Sequence, residues 1–177
     1  MTALKQTIRT VSAFSCIVLC LGLFSVPGAD AQEVYLCVWR NPERTMTRVF
    51  PDADDYKTVT LDISDADRAA IEAELGFSLL PGQEKQFVFY DMLNKDGGSI
   101  GTIIAASQKG EYGIVEFVFG LDAEKTIKDI YIQRARERDR TFKQREFLDL
   151  FVGLKVSEAD AVSRRYTGPD SPGTEAV

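Results

Sequence analysis

Two hydrophobic periods alternate along this chain. Residues 58–63 (Thr-Val-Thr-Leu-Asp-Ile) put Val59, Leu61 and Ile63 on one side, the period of two that predicts a short strand. Four longer runs follow at 87–93, 99–107, 112–121 and 127–133. Between them stand Asn94-Lys95-Asp96-Gly97-Gly98, Lys109-Gly110-Glu111 and Asp122-Ala123-Glu124-Lys125, which are turn formers. Connections this short join antiparallel neighbours, so the four runs predict a meander.

The helical period appears in three places. Asn41-Pro42 reads as an N-cap with proline at the first helical position, and the helix runs to about Val49, before Pro51. Ser64 caps a second helix with Asp67 at the reciprocal capping-box position. Its apolar residues Ile71 and Leu75 share a face, and Gly76 ends it. A third helix is expected over 141–152, with Phe147, Leu150, Phe151 and Leu154 at helical spacing and Gly153 as its stop. Residues 156–165 read as partly helical.

Both faces of the strands are apolar: Val115, Phe117 and Phe119 alternate with Ile114 and Val118. Something must cover the second face, and the helices are the available cover. The expected fold is therefore α+β, a twisted antiparallel sheet of about four to six strands packed with helices.

The N-terminus has a different pattern. Lys5 and Arg9 precede an apolar run from Val11 to Val26, followed by Pro27, Gly28 and Ala29-Asp30-Ala31. That order is a charged region, a short apolar core and a small-residue cleavage site, the layout of a secretory signal peptide. We expect cleavage before Gln32, giving a signal over 1–31, a domain over 32–165 and a Gly/Pro/Ser-rich segment over 166–177. The expected location is the periplasm, free or associated with the membrane.

Composition narrows the chemistry. The whole chain carries −6, and loss of the signal makes the remainder one unit more negative. An acidic domain is a poor partner for nucleic acid or an anionic membrane. There is no histidine, which removes Ser-His-Asp and Cys-His catalysis and histidine-ligated zinc or haem; no metal site is expected. The mature part keeps Cys37, flanked by Tyr35, Leu36, Val38 and Trp39, and reads as a small buried hydrophobe.

Several segments in order resemble the FMN-binding domain family of extracytoplasmic flavin carriers, related to the flavin-bearing subunits of Rnf and sodium-translocating NADH:quinone reductase complexes. They are Val49-Phe50-Pro51-Asp52-Ala53-Asp54, the run from Gly113 to Asp122 ending Gly-Leu-Asp, the strand 127–134, and Phe147-Leu148-Asp149-Leu150-Phe151-Val152-Gly153. The resemblance covers nearly all of 32–177. It implies a twisted antiparallel sheet with helices, FMN as cofactor, and electron transfer to a membrane redox complex or another exported electron-transfer protein. It also implies a carrier rather than an enzyme with its own substrate. That family attaches FMN through a terminal (S/T)-G-A-(S/T) hydroxyl, and here the sequence reads Thr167-Gly168-Pro169-Asp170, with Ser171 or Thr174 as the nearest hydroxyls. The alternative is a flavin-free relative acting as a periplasmic interaction or assembly domain.

Two segments are candidate sites. Arg134, Arg136, Arg138 and Arg140, extended by Lys143, form a basic loop in an acidic domain, and guanidinium is the natural fork for a phosphate. The competing reading is a solvated loop paired to Glu137, Asp139 and Glu146. Thr167, Gly168, Ser171, Gly173 and Thr174 offer hydroxyls and glycine amides to a phosphate, or form a loose tail. Trp39, Tyr90, Tyr112 and Tyr131 are either core aromatics or stacking partners for an isoalloxazine.

Overall fold

A computed structural model describes residues 37–158 and 161–177; the signal expected at 1–31 lies outside them. Helix α1 (Pro42–Val49) leads into β1 (Asp55–Asp62) and α2 (Asp65–Leu75). A connector then enters β2 (Gln86–Leu93), β3 (Ser99–Lys109), β4 (Ile114–Leu121) and β5 (Ile127–Arg134). The five strands pair in chain order as one open antiparallel sheet, β1-β2-β3-β4-β5. The expected meander thus gains β1 as an edge strand, and the fold is α+β.

The turn chemistry works as the sequence implies. Asn94 Oδ1 accepts from the backbone N–H groups of Asp96 and Gly98, and Gly97 takes a φ of 77°. That left-handed conformation is inexpensive only for glycine. Asp122 does the same at the next hairpin, accepting from Glu124 and Thr126.

One face of the sheet presents Tyr90, Met92, Ile103, Ala105 and Val118. Cys37, Trp39 and the end of α1, Val49 and Phe50, close over it. Phe50 is 1% exposed. This approach depends on Gly101 and Gly120, whose added Cβ atoms would collide with the Phe50 ring and the Val49 side chain.

The other face presents Val115, Phe117 and Ile130 to a C-terminal layer. That layer is a 3-10 turn (Thr141–Lys143), α3 (Arg145–Leu148), a second 3-10 turn (Val156–Glu158), α4 (Ala161–Arg165) and α5 (Pro172–Glu175). The single helix expected over 141–152 is broken: Gln144 is extended at φ −79°, ψ 147°. A continuous helix would set Phe142 and Phe147 roughly 140° apart around its axis. The break lets both rings enter the same core, where they are 0% and 5% exposed.

Sheet register creates one further feature. β2 and β3 pair from Phe89↔Ile104 to Leu93↔Ser99 and no further. β2 extends back to Gln86 and stays paired to β1, while β3 extends to Lys109 and stays paired to β4. The sheet therefore parts between 86–88 and 105–109.

Candidate functional site

The parting of β2 and β3 opens into a cavity of about 690 Å³. From the strands come Leu61, Phe87, Val88, Ala105, Ala106 and Phe117. Helix α2 roofs it with Ala70, Ile71 and Leu75, and the connector after it adds Phe77 and Leu79. Cys37 and Ser107 reach it from the α1 side of the sheet.

Local signals, not packing, hold the roof in place. Ser64 and Asp67 form the expected reciprocal cap, with Asp67 N–H donating to Ser64 Oγ at 3.1 Å and Ser64 N–H to Asp67 Oδ2 at 3.3 Å. Gly76 terminates the helix at φ 74°. Glu72 Oε1 accepts from Leu79 N–H at 2.9 Å, tying the connector back to the helix. Gln83 Nε2 donates to both the Ser107 carbonyl and hydroxyl at 3.2 Å, pinning the connector to β3 across the gap. No residue of α2 is buried. Leu61, Ile71, Leu75, Phe77 and Phe87 remain 37–49% exposed, an apolar lining facing water.

The residues of the basic loop divide between ion pairing, ring contact and exposure to solvent. Arg134 bonds across to Glu116 Oε1 at 2.7 Å, not to Glu137, Asp139 or Glu146. Glu116 is 6% exposed and also faces Arg40, 3.0 Å from Oε2, although that oxygen lacks a well-aligned hydrogen bond. Arg138 lies over the Tyr112 ring at 4.8 Å. Lys143 Nζ donates to the Ala135 carbonyl at 3.0 Å. Glu137 is buried and accepts from Tyr112 N–H at 3.1 Å, bracing the β3–β4 turn. Arg136 and Arg140 are exposed, and their guanidinium groups have no ion-pair partner among the described residues.

The C-terminal segment is not a loose tail. Ser171 caps α5, accepting from Thr174 N–H at 3.2 Å, while Thr174 Oγ1 accepts from Ser171 N–H at 2.8 Å. Gly173 packs against the Phe142 ring and Ala176 is buried. Ser171 Oγ donates to Asp139 Oδ2 at 2.6 Å, so the loop and the tail meet at this bond. That donation, with further bonds from Thr141, holds the Asp139 carboxyl down at about 2. Thr167 and Gly168 lie on an exposed turn beside Tyr166. Both hydroxyls nearest the attachment position are thus engaged, and one faces a carboxylate. They do not fit a phosphoester acceptor, whereas Arg136 and Arg140 fit a non-covalent phosphate contact.

Trp39 and Tyr90 are core, and the half-buried Tyr131 packs against them. Trp39 stands edge-on to Tyr90 at 5.2 Å, its Nε1 donates to Tyr131 Oη at 2.8 Å, and its N–H donates to Tyr90 Oη at 3.0 Å. Cys37 is 5% exposed, and burial pushes its thiol up to about 12. Among the described residues, no group of three or more Cys, Asp or Glu could hold a metal ion, and no helix is long and apolar enough to cross a membrane.

No protein-family model matches the chain, and no curated protein matches it.

The cavity is the feature that sequence patterning missed. Its signal was present in the connector: Phe77 and Leu79 are apolar yet belong to neither period. Apolar residues with no element to serve must face something other than the strand or helix core.

Proposed function

We propose that this protein is an exported binding protein for a small apolar ligand, held in the cavity between β2 and β3 under α2. One observation carries the reading: a carbon-lined space of about 690 Å³ beneath a helix that buries none of its own residues. Small-molecule pockets run about 300–1,000 Å³ and are mostly apolar with a few placed polar groups. Here Gln86 and Gln108 supply such groups in the wall. A ligand would gain about 25 cal/mol for each Å² of apolar surface taken from water. The lining that faces water without it would be covered. The reading is carriage of the ligand.

The test is uptake of a neutral apolar dye. Nile red added to the mature protein is expected to fluoresce on binding, and Ala70→Trp, which fills the cavity from the roof, is expected to abolish the signal while leaving the circular dichroism unchanged. A dye that fails to bind, or binds Ala70→Trp equally well, would remove the proposal.

A second reading is favoured by the meeting of the basic loop and the C-terminal segment at Asp139 and Ser171. In it the protein is an FMN carrier exchanging electrons with a membrane redox complex or another exported electron-transfer protein. Arg136 and Arg140 would hold the phosphate non-covalently, and the flavin would supply one- or two-electron transfer. Titration with FMN, followed by the flavin's visible absorption after gel filtration, tests it; a colourless protein peak would exclude it.

A further inference from the structure

The cavity wall carries charge of one sign only. Of its lining residues, Asp62 and Asp67 are the carboxylates, and among the described residues no Lys or Arg lines it. Asp67 is committed to the helix cap through Ser64. Asp62, at the end of β1 on the rim, is exposed, and its carboxylate has no hydrogen-bond or ion-pair partner among the described residues. The nearby cations are turned to other tasks or to solvent. Arg68 pairs with Asp65 at 3.4 Å and Glu84 at 3.9 Å, and Lys85, just before β2, is exposed and outside the wall. The remaining polar lining, Gln83, Gln86, Ser107 and Gln108, is neutral.

A ligand anion would lose hydration on entry, find no cation to replace it, and meet Asp62 at the mouth. A neutral head would find the side-chain amides of Gln86 and Gln108, and a cationic head would find the Asp62 carboxylate. We propose that the cavity selects neutral or cationic amphiphiles, an apolar body with a hydroxyl, amide or ammonium head, and discriminates against carboxylates and phosphates. This rests on the binding reading above, and it adds the chemical class of the ligand.

Three ligands of one chain length separate the charge from the chain: decanol, decylamine and decanoate, each below its micellar concentration, used to displace Nile red from the mature protein at neutral pH. Decanol and decylamine are expected to displace it, decylamine the better of the two, with decanoate weaker than decanol by about tenfold or more. Asp62→Asn is expected to bring decylamine down to decanol, and Asp62→Lys to make decanoate the best of the three. Asp62 is exposed, so neither variant should disturb folding, and circular dichroism confirms that. Decanoate binding as well as decylamine, or a decylamine preference that survives Asp62→Asn, overturns the charge selection while leaving the binding reading intact. Failure of the dye itself to bind overturns both.

Discussion

Helices α1 and α2 flank β1 in the chain, and both carry apolar residues on one side, yet they meet the sheet in opposite ways. α1 drives Val49 and the following Phe50 into the core, where they are 3% and 1% exposed, and two glycines are hollowed out beneath them. Its N-cap residue contributes no side-chain bond, and Asn41 sits in the left-handed region at φ 55°. α2 has the reverse design: a complete capping box, a glycine stop and polar ties at its end, with no residue buried. A helix sealed to the core needs little local help. A helix that is locally self-sufficient needs no sealed face, and the space under it is free for something else.

The contrast breaks most easily at Phe50. Phe50→Ala is expected to cost about 3–5 kcal/mol, the range for an aromatic side chain removed from a packed core. Urea unfolding measures it, and a loss below about 1 kcal/mol would mean that α1 is not sealed as described. Ser64→Ala should cost about 1 kcal/mol, the typical value of an N-cap hydroxyl, and its effect should be local. Amide exchange would then rise in α2 before it rises in β4. Leu75→Ala should change stability by less than about 1 kcal/mol, because Leu75 is 45% exposed in the absence of ligand, but should weaken Nile red binding. A large stability loss with unchanged dye binding would invert the comparison.

Helix α5 sharpens it further, since a carboxylate contact joins its packing. The Asp139 carboxyl is depressed from 3.8 to about 2, first by the Ser171 hydroxyl. A depressed carboxyl stabilises above its unfolded value, and that contribution is lost as pH falls from about 3.8 through about 2. Exchange or proteolysis of residues 171–177 is expected to increase in that window while β4 stays protected. Asp139→Asn should weaken tail docking already at neutral pH and remove the acid step. An acid step retained in Asp139→Asn would place its cause elsewhere.

What the sequence made legible was whatever is encoded within a few residues. The strand periods, the Asn94 and Asp122 turns, the Ser64–Asp67 box and the Gly76 stop all reappear as local geometry. What it hid depends on partners far along the chain. The break at Gln144 is set by two rings sharing one core, and the docking of Ser171 by a carboxylate 32 residues earlier. Arg134 turns to Glu116 on the adjacent strand instead of to its loop neighbours. The cavity is the extreme case, because no period reveals where two adjacent strands cease to pair.

Cys37 gives this architecture a clock. It is the one free thiol among the described residues, in the cavity wall, 5% exposed and pushed up to about 12 by burial. A thiol that is neither ionised nor reachable reacts with a maleimide only during excursions that expose it. Its labelling half-life in the untouched wild-type chain therefore times the opening of the wall, and a guest that occupies the cavity should lengthen it in proportion to occupancy. No engineered reporter is needed to read residence in the cavity from a mass shift.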